Sequence, residues 1–153
     1  MPVTPVYSKT IAVPQSVIDE NGHVNNVVYV QWMQDIAIEH YTAIGGIGPT
    51  QHAGATWVAR SHLVEYLLPA FAGEEIEIRT WIENYRRVRS LRKYEFVRVS
   101  DGKLLVKGET DWVFVDASTG NPRAISEEVI RVFQHQNSDV FAKHPTGAET
   151  SEF

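Results

Sequence analysis

The hydrophobic period of this chain changes from 3.6 residues to 2 after about residue 45, and this change constrains the fold more than any other feature. Between Asn26 and Ile44, apolar side chains recur at intervals of three and four residues, which is the spacing of one helical face. Further apolar residues widen this face until only a narrow polar strip is left. Asn25 is predicted to cap the helix and Gly45-Gly46 to end it. The segment therefore predicts a long, largely buried helix.

About sixty residues with period 2 follow the helix and predict antiparallel strands. The predicted strands, with a shorter one before the helix, are Tyr7–Val13, Ala55–Leu68, Glu74–Tyr85, Leu91–Ser100 and Leu104–Val115. In the second of these, Arg60 and His62 are expected to share one face with Val58 and Val64. Asp101-Gly102 predicts a hairpin between the last two strands. Because strands and helices do not alternate along the chain, we expect an α+β fold in which a five-stranded antiparallel sheet wraps around one central helix.

A final amphipathic helix is predicted from Ser126 to about Gln136, and the periodic pattern stops soon after it. We therefore expect one domain over residues 1–137 and a loose tail over residues 138–153. No segment reaches the roughly 20 consecutive apolar residues of a membrane span, and the N-terminus has no secretory signal pattern. We therefore expect neither a membrane partner nor export.

Charge and cysteine content exclude several classes of function. The formal net charge is −5, which argues against nucleic acid as the main partner, because duplex binding needs clustered and uncompensated basic residues. The chain has no cysteine, so disulfides, thiolate nucleophiles and cysteine zinc sites are all excluded. These features fit a protein of the reducing cytoplasm.

Residues 19–29 place acid, amide and imidazole side chains directly before the long helix. With no cysteine available, the carboxylate of Asp19 is the strongest candidate for a general base or a nucleophile. Unpaired backbone N–H groups at the helix start, near Asn26, can stabilise a developing oxyanion. His23 and Asn21 would support the reaction by orienting water or the carboxylate. Taken singly, the same residue types also favour turns and helix caps. Together they predict hydrolysis of an acyl compound.

The chain resembles the hotdog-fold thioesterases of the 4-hydroxybenzoyl-CoA thioesterase type in this turn and in the order of its elements, over about Tyr7 to Gln136. The run Asp-x-Asn-x-His-Val-Asn-Asn is also similar to the signature of plant acyl–acyl carrier protein thioesterases. The resemblance implies a hotdog fold, hydrolysis of an acyl-CoA or acyl carrier protein thioester, and no metal or organic cofactor. It also implies a homodimer, or a homotetramer built as a dimer of dimers, with active sites at the subunit interface.

Carried over residue by residue, the resemblance assigns catalytic roles to Asp19, Asn21, His23 and Asn26, and substrate contacts to Gly22 and Tyr29. Asp19 would either activate a water molecule or attack the thioester carbonyl to give a mixed anhydride, and the sequence leaves both routes open. The plant enzymes have a further acid later in the chain. This sequence departs from that pattern, with Glu65 as the nearest acid, and the departure favours a mechanism with a single aspartate.

A second cluster, residues 86–93, carries five of the fourteen basic residues around the turn between two predicted strands. Its members are Arg86, Arg87, Arg89, Arg92 and Lys93. Because arginine binds phosphate through paired hydrogen bonds, we expect this cluster to bind the phosphates of CoA or the acidic surface of an acyl carrier protein. The competing interpretation is that these are solvated side chains that protect a strand end from edge pairing.

Three functions stay open on the sequence alone. The first is an acyl-CoA or acyl carrier protein thioesterase that works through Asp19. The second is a hotdog enoyl-CoA hydratase or dehydratase, which usually draws its acid from within the helix, whereas Asp19 precedes the helix. The third is a non-catalytic acyl-binding module, which would need a pocket and the basic cluster but not Asp19.

Overall fold

One long helix lies against a five-stranded antiparallel sheet in the computed structural model, which describes residues 2–143. The elements in chain order are β1 (Tyr7–Ala12), α1 (Asn26–Ala43), α2 (Ile47–His52), β2 (Ala55–Tyr66), β3 (Glu75–Arg86), β4 (Arg89–Arg98), β5 (Leu104–Asp116) and α3 (Glu127–Lys143). A single 3-10 turn follows β1 at Gln15–Val17. The strands lie in the order β1-β3-β4-β5-β2, and every neighbouring pair is antiparallel. The predicted α+β architecture is confirmed.

The alternating face of the sheet and the apolar stripe of α1 meet in the core. Ile76 and Ile78 of β3 are fully buried and pack in one cluster with Met33 and Ile36 of α1. Full burial of a side chain of this size contributes about 1.5–3 kcal/mol each. Packing of this stripe, more than intrinsic helix propensity, therefore holds α1 on the sheet.

A glycine in β5 lets α1 come close to the sheet. A Cβ atom on Gly108 would lie 2.9 Å from Sδ of Met33 and 3.4 Å from the backbone oxygen of Leu63 in β2. The φ angle of Gly108 is not in the left-handed region, so the position needs glycine for space and not for its backbone conformation.

A bulge in β2 changes which side chains share a face. The register of β2 against β5 shifts between Ala59 and Ser61. As a result, His62 and Val64 face the layer under α1, while Val58 lies on the other face and is 43% exposed. The expectation that Val58 and Val64 share a face is wrong, because one inserted residue reverses the facing of every side chain beyond it.

Helix α1 is less enclosed than its pattern predicts, since Val27 is 73% exposed and Ile38 is 59% exposed. The short helix α2, which no hydrophobic period indicates, packs at the far end of α1. Thr50 Oγ1 donates to the carbonyl of Gly46 at 2.8 Å and accepts from the Tyr41 hydroxyl at 2.6 Å. Tertiary hydrogen bonds therefore hold α2, which is only six residues long.

Helix α3 continues to Lys143, past the predicted end at about Gln136. Its first turn is capped as predicted, since Oγ of Ser126 accepts from the N–H of Val129 at 3.4 Å. Residues 144–153 of the predicted tail lie outside the described residues. Within residues 2–143, no helix is both long enough and apolar enough to cross a membrane.

Candidate active site

Residues 18–25 form a closed turn that places Asp19 beside the start of α1. The N–H of Asp19 donates to the carbonyl of His23 at 3.0 Å, and the N–H of Gly22 donates to the carbonyl of Asp19 at 2.9 Å. Gly22 has a φ of 84°, a conformation that residues with a Cβ rarely adopt. The N–H of Asn25 donates back to the 3-10 turn at 3.0 Å. The turn therefore holds the Asp19 backbone in a defined position next to the helix.

Residue Asp19 is half-buried, and one oxygen of its carboxylate is already engaged. Oδ1 accepts from the N–H of Asn21 at 2.9 Å, whereas Oδ2 accepts from no described residue. No side-chain hydrogen bond joins Asp19 to His23. The first contact orients the carboxylate, and the second oxygen is left to accept a proton from water or to contact a substrate.

The imidazole of His23 is oriented by a backbone carbonyl. Nδ1 lies 3.3 Å from the carbonyl oxygen of Val24, and because a carbonyl can only accept, Nδ1 is the donor in this contact. Nε2 has no hydrogen-bond partner among the described residues. The turn thus contains a carboxylate, on Asp19, and an imidazole, on His23, that are held separately.

The start of α1 has the predicted cap and a free donor. Oδ1 of Asn25 accepts from the N–H of Val27 at 3.0 Å, which confirms the cap. The N–H of Asn26 donates to no described residue, and its carbonyl accepts from the hydroxyl of Tyr66 at 2.9 Å. An N–H group at this end of a helix is suited to stabilise negative charge.

The predicted substrate contact Tyr29 is buried at 2% exposure, one turn into α1. Its ring packs on Phe96 at a centroid distance of 5.1 Å, and its hydroxyl has no hydrogen-bond partner among residues 2–136. Burial, with added repulsion from Tyr66 and Glu74, raises the pKa of Tyr29 to about 12, so the hydroxyl stays protonated. The structure therefore places Tyr29 beneath the turn and not on its surface.

An exposed apolar surface borders the turn. The loop after β2 is tied to the turn by the N–H of Val24, which donates to the carbonyl of Ala70 at 2.9 Å. Large apolar side chains at the end of β2, in this loop and in the first turn of α1 are between 39% and 73% exposed: Val27, Tyr66, Leu67, Leu68 and Phe71. Exposed apolar side chains grouped in this way are typical of a surface that receives a ligand or another chain.

The basic cluster is divided by the structure. Arg86 and Arg87 are exposed at the β3–β4 turn, whereas Arg89 forms an ion pair with Asp111, with an Nε–Oδ1 distance of 3.1 Å. Lys93 lies on the outer face of the sheet, lining a groove with Trp81 and Glu109.

Arg92 points the opposite way from Lys93, into the layer under α1, and is only 3% exposed. Residues 90, 92, 94 and 96 form the buried face of β4, so alternation carries Arg92 inward. The prediction that Arg92 contributes to a surface phosphate site is therefore wrong. Glu65 faces outward on β2 and lies 3.6 Å from Lys107.

The turn and the basic hairpin lie at opposite ends of the sheet. The N–H of Val13, just before the turn, donates to the carbonyl of Glu74 at the start of β3. Arg86 is the last residue of that strand, which has 12 residues. At 3.3 Å per residue the two ends are about 35 Å apart. One copy of the chain therefore does not bring Asp19 and the basic hairpin into one site.

A buried polar cluster under α1 was not predicted from the sequence. Nη1 of Arg92 donates to Nδ1 of His40 at 2.8 Å and to Oγ1 of Thr80 at 3.1 Å. Burial, and then the positive charge of Arg92, lowers the pKa of His40 to about 3, so the imidazole is neutral. Burial lowers the pKa of Arg92 to about 10, which leaves the guanidinium charged at neutral pH. The alternation of β4, which puts residue 92 on the same face as Tyr94, could have indicated that Arg92 is buried.

Comparison with known proteins gives a consistent result. A sequence model of the thioesterase-like superfamily matches residues 13–133. The DHNA-CoA thioesterase of Staphylococcus aureus is similar in structure, with a TM-score of 0.74 and 22% identity over 93% of this chain and 95% of that one. The 1,4-dihydroxy-2-naphthoyl-CoA thioesterase Slr0204 of Synechocystis has a TM-score of 0.75 and 12% sequence identity. The match covers 87% of this chain and 98% of that one. Protein SAV2348 of Staphylococcus aureus, solved in complex with CoA, has a TM-score of 0.78 and 18% sequence identity. The match covers 88% of this chain and 85% of that one. No curated protein sequence matches the chain.

The fold shared with these structures is the hotdog fold. The class of enzyme that the family model defines is the thioester hydrolases. The family match extends over most of the chain, from the end of β1 into α3. The chain belongs to the thioesterase-like superfamily.

Proposed function

We propose that this protein is an acyl-CoA thioesterase in which Asp19 is the general base or nucleophile. The observation that carries the proposal is the closed turn, which holds a carboxylate with one unengaged oxygen beside the capped start of α1. A thioester carbonyl needs an attacking oxygen and a donor for the oxyanion, and this turn supplies candidates for both.

In the general-base route, Asp19 takes a proton from water while the water oxygen attacks the thioester carbonyl carbon. The N–H of Asn26 donates to the carbonyl oxygen as it becomes negative, and a donor of this kind typically contributes ~10²–10³ in rate. The carbon–sulfur bond then breaks, and the thiolate of CoA leaves and takes up a proton. Asn21 holds the Asp19 carboxylate, and His23 offers Nε2 to a water molecule. Attack by Asp19 itself would give a mixed anhydride that water then cleaves.

CoA is favoured as the carrier for two reasons. Two of the similar structures are named as CoA thioesterases, and a third was solved in complex with CoA. In addition, Arg86 and Arg87 are exposed cations without a carboxylate within 4 Å among residues 2–136, whose side chains the structure describes. The acyl group would lie on the apolar surface beside the turn.

If the turn and the hairpin serve one active site, the distance between them calls for a second copy of the chain. In a homodimer joined through antiparallel β2 edges, the strands of the two copies run in opposite directions. The hairpin end of one sheet then lies beside the turn end of the other. We propose that each active site combines the turn of one subunit with Arg86 and Arg87 from the other subunit. A homotetramer would contain two such dimers.

Release of free thiol from a panel of acyl-CoA and acyl carrier protein thioesters tests the proposal. The variant Asp19→Asn keeps the shape and the hydrogen-bond acceptor but lacks the charge, and we expect kcat/KM to fall by at least ~10². The control is Asp35→Asn, an acid of α1 that accepts from Gln31 and does not contact the turn. Unimpaired thiol release by Asp19→Asn would refute the role of Asp19. Hydration of an enoyl-CoA without thiol release would identify a hydratase instead.

A further inference from the structure

A cavity of about 400 Å³ lies far from the turn, between the second half of α1, α2, the first residues of β2 and α3. Ligand pockets range over about 300–1,000 Å³, so this one suits a small ligand. Most of its wall is apolar or aromatic, with Ala37, Tyr41, Trp57, Trp112 and Phe133 among the lining residues. The chemistry of this wall fits a hydrocarbon or aryl group.

The polar groups of the wall differ in whether their hydrogen bonds are satisfied. Trp57 Nε1 donates to the Tyr41 hydroxyl at 3.0 Å, and Tyr41 in turn donates to Thr50, so this part of the wall is internally satisfied. Arg92, which also lines the cavity, is not fully satisfied in this way. Its guanidinium has five N–H donors, and only the two on Nη1 have acceptors, on His40 and Thr80.

The charge of Arg92 has no counter-ion among residues 2–136, whose side chains the structure describes. No carboxylate lies within 4 Å of its guanidinium, and its two acceptors are a neutral imidazole and a hydroxyl. The other titratable groups close to it are the phenols of Tyr41 and Tyr94. An isolated buried charge costs several kcal/mol unless it is paired. Its Nε and Nη2 donors have no acceptor among the described residues.

We propose that this cavity is a second ligand site, which binds a carboxylate on an apolar stem, with the carboxylate paired to Arg92 and the stem against Trp57 and Trp112. A carboxylate supplies both the missing charge and two acceptor oxygens in the planar arrangement that a guanidinium fits. The aromatic wall receives the stem.

The site is separate from the turn within one subunit. His40, the partner of Arg92, lies fourteen residues after Asn26 on the same helix, which is about 21 Å at 1.5 Å per residue. The carboxylate has two possible sources. It is either a free carboxylic acid or a second carboxylate at the far end of an acyl group.

Calorimetric titration with octanoate and with octan-1-ol, which has the same stem without the charge, tests the proposal. We expect octanoate to bind at least ~10-fold more tightly, because hydrogen bonds to a charged group are the stronger ones. In Arg92→Met this preference should disappear, while octan-1-ol still binds to the apolar wall. Arg92→Lys should keep part of the preference. Arg79→Met, on the opposite face of the sheet, is the matched control and should keep all of it.

Equal affinities for octanoate and octan-1-ol in the unmodified protein would overturn the proposal, and so would a preference that survives in folded Arg92→Met. The first comparison needs no variant, so it decides the question even if Arg92→Met does not fold. A circular-dichroism melting curve establishes whether it does.

Two further measurements distinguish the sources. If the far end of an acyl group binds here, the CoA monothioester of octadecanedioic acid, whose extended chain is long enough to span about 21 Å, should be hydrolysed faster than octadecanoyl-CoA, and Arg92→Met should lose this difference. If a free acid is bound, the two rates should be similar and octanoate should bind Asp19→Asn with unchanged affinity. Because octanoate binding is measured without turnover, the inference stands or falls independently of the proposed thioesterase activity.

Discussion

Burial decides the protonation of His40, and this has a measurable effect on stability. The pKa of His40 falls from 6.5 to about 3 on folding, so below about pH 6.5 the unfolded chain takes up a proton that the folded protein does not. The contribution of His40 is therefore fully present above pH 6.5 and is lost as the pH falls toward 3. We expect a loss of about 2–3 kcal/mol in unfolding free energy between about pH 7 and pH 4.5 from this residue.

Urea unfolding at the two pH values measures this loss, and His40→Gln should reduce it, since glutamine keeps an acceptor for Arg92 without taking up a proton. Part of the slope will persist, because burial also lowers the pKa of His62. If His40→Gln and the unmodified protein lose the same free energy, then His40 is not the buried neutral group that the structure indicates.

At the scale of single elements, the contact of α1 with β5 depends on the missing side chain of Gly108. In Gly108→Ala the new methyl group would lie 2.9 Å from Met33 Sδ, and Met33 or the helix must move. We expect a loss of about 1–3 kcal/mol in unfolding free energy, the usual cost of overpacking a core. Urea unfolding measures it. Gly48→Ala in α2, where a Cβ meets nothing within 4 Å, is the matched control and should not destabilise the protein. Equal stability of the two variants would show that α1 is not held closely at this point.

The elements that follow from a repeated pattern were predictable from the sequence, and those that depend on one tertiary contact were not. The alternation that buries Ile76 and Ile78 identified β3, and the stripe through Met33 identified α1. Helix α2 has no such stripe and depends on the hydrogen bond between Thr50 and Tyr41. The bulge at residue 60 could not be predicted, because the sequence pattern does not show where the alternation is interrupted.

In the candidate site, the local features could be predicted from the sequence, whereas the buried position of Arg92 could not. The turn at Asp19 and the cap at Asn25 depend on neighbouring residues, and local sequence determines such features. The burial of Arg92 was harder to predict, because arginine as a residue type favours the surface, while its position in the alternation of β4 favours the interior. Arg92 lies on the same face of β4 as Tyr94 and Phe96, and the burial of that face places Arg92 inside.

At the scale of the whole molecule, the separation of the turn from the basic hairpin determines how the active site can be assembled. Two variants should each be impaired if both features belong to one site: Asp19→Asn, and the double variant Arg86→Ala with Arg87→Ala. We expect the double variant to raise KM for acyl-CoA by ~10-fold or more, because charged hydrogen bonds to the phosphates are lost.

Mixing the two variants distinguishes a site shared between subunits from a site within one subunit. If the turn of one copy works with the hairpin of the other, a mixed dimer contains one site in which both are unmodified. Random exchange in an equal mixture makes half of the dimers mixed, so about a quarter of the native activity should return. If each subunit holds its own site, every site in the mixture carries a substitution and no activity returns. Light scattering checks that dimers form, and exchange is followed with a tag on one variant. A dimeric, exchanged mixture without recovered activity would show that the hairpin does not serve the turn of its neighbour.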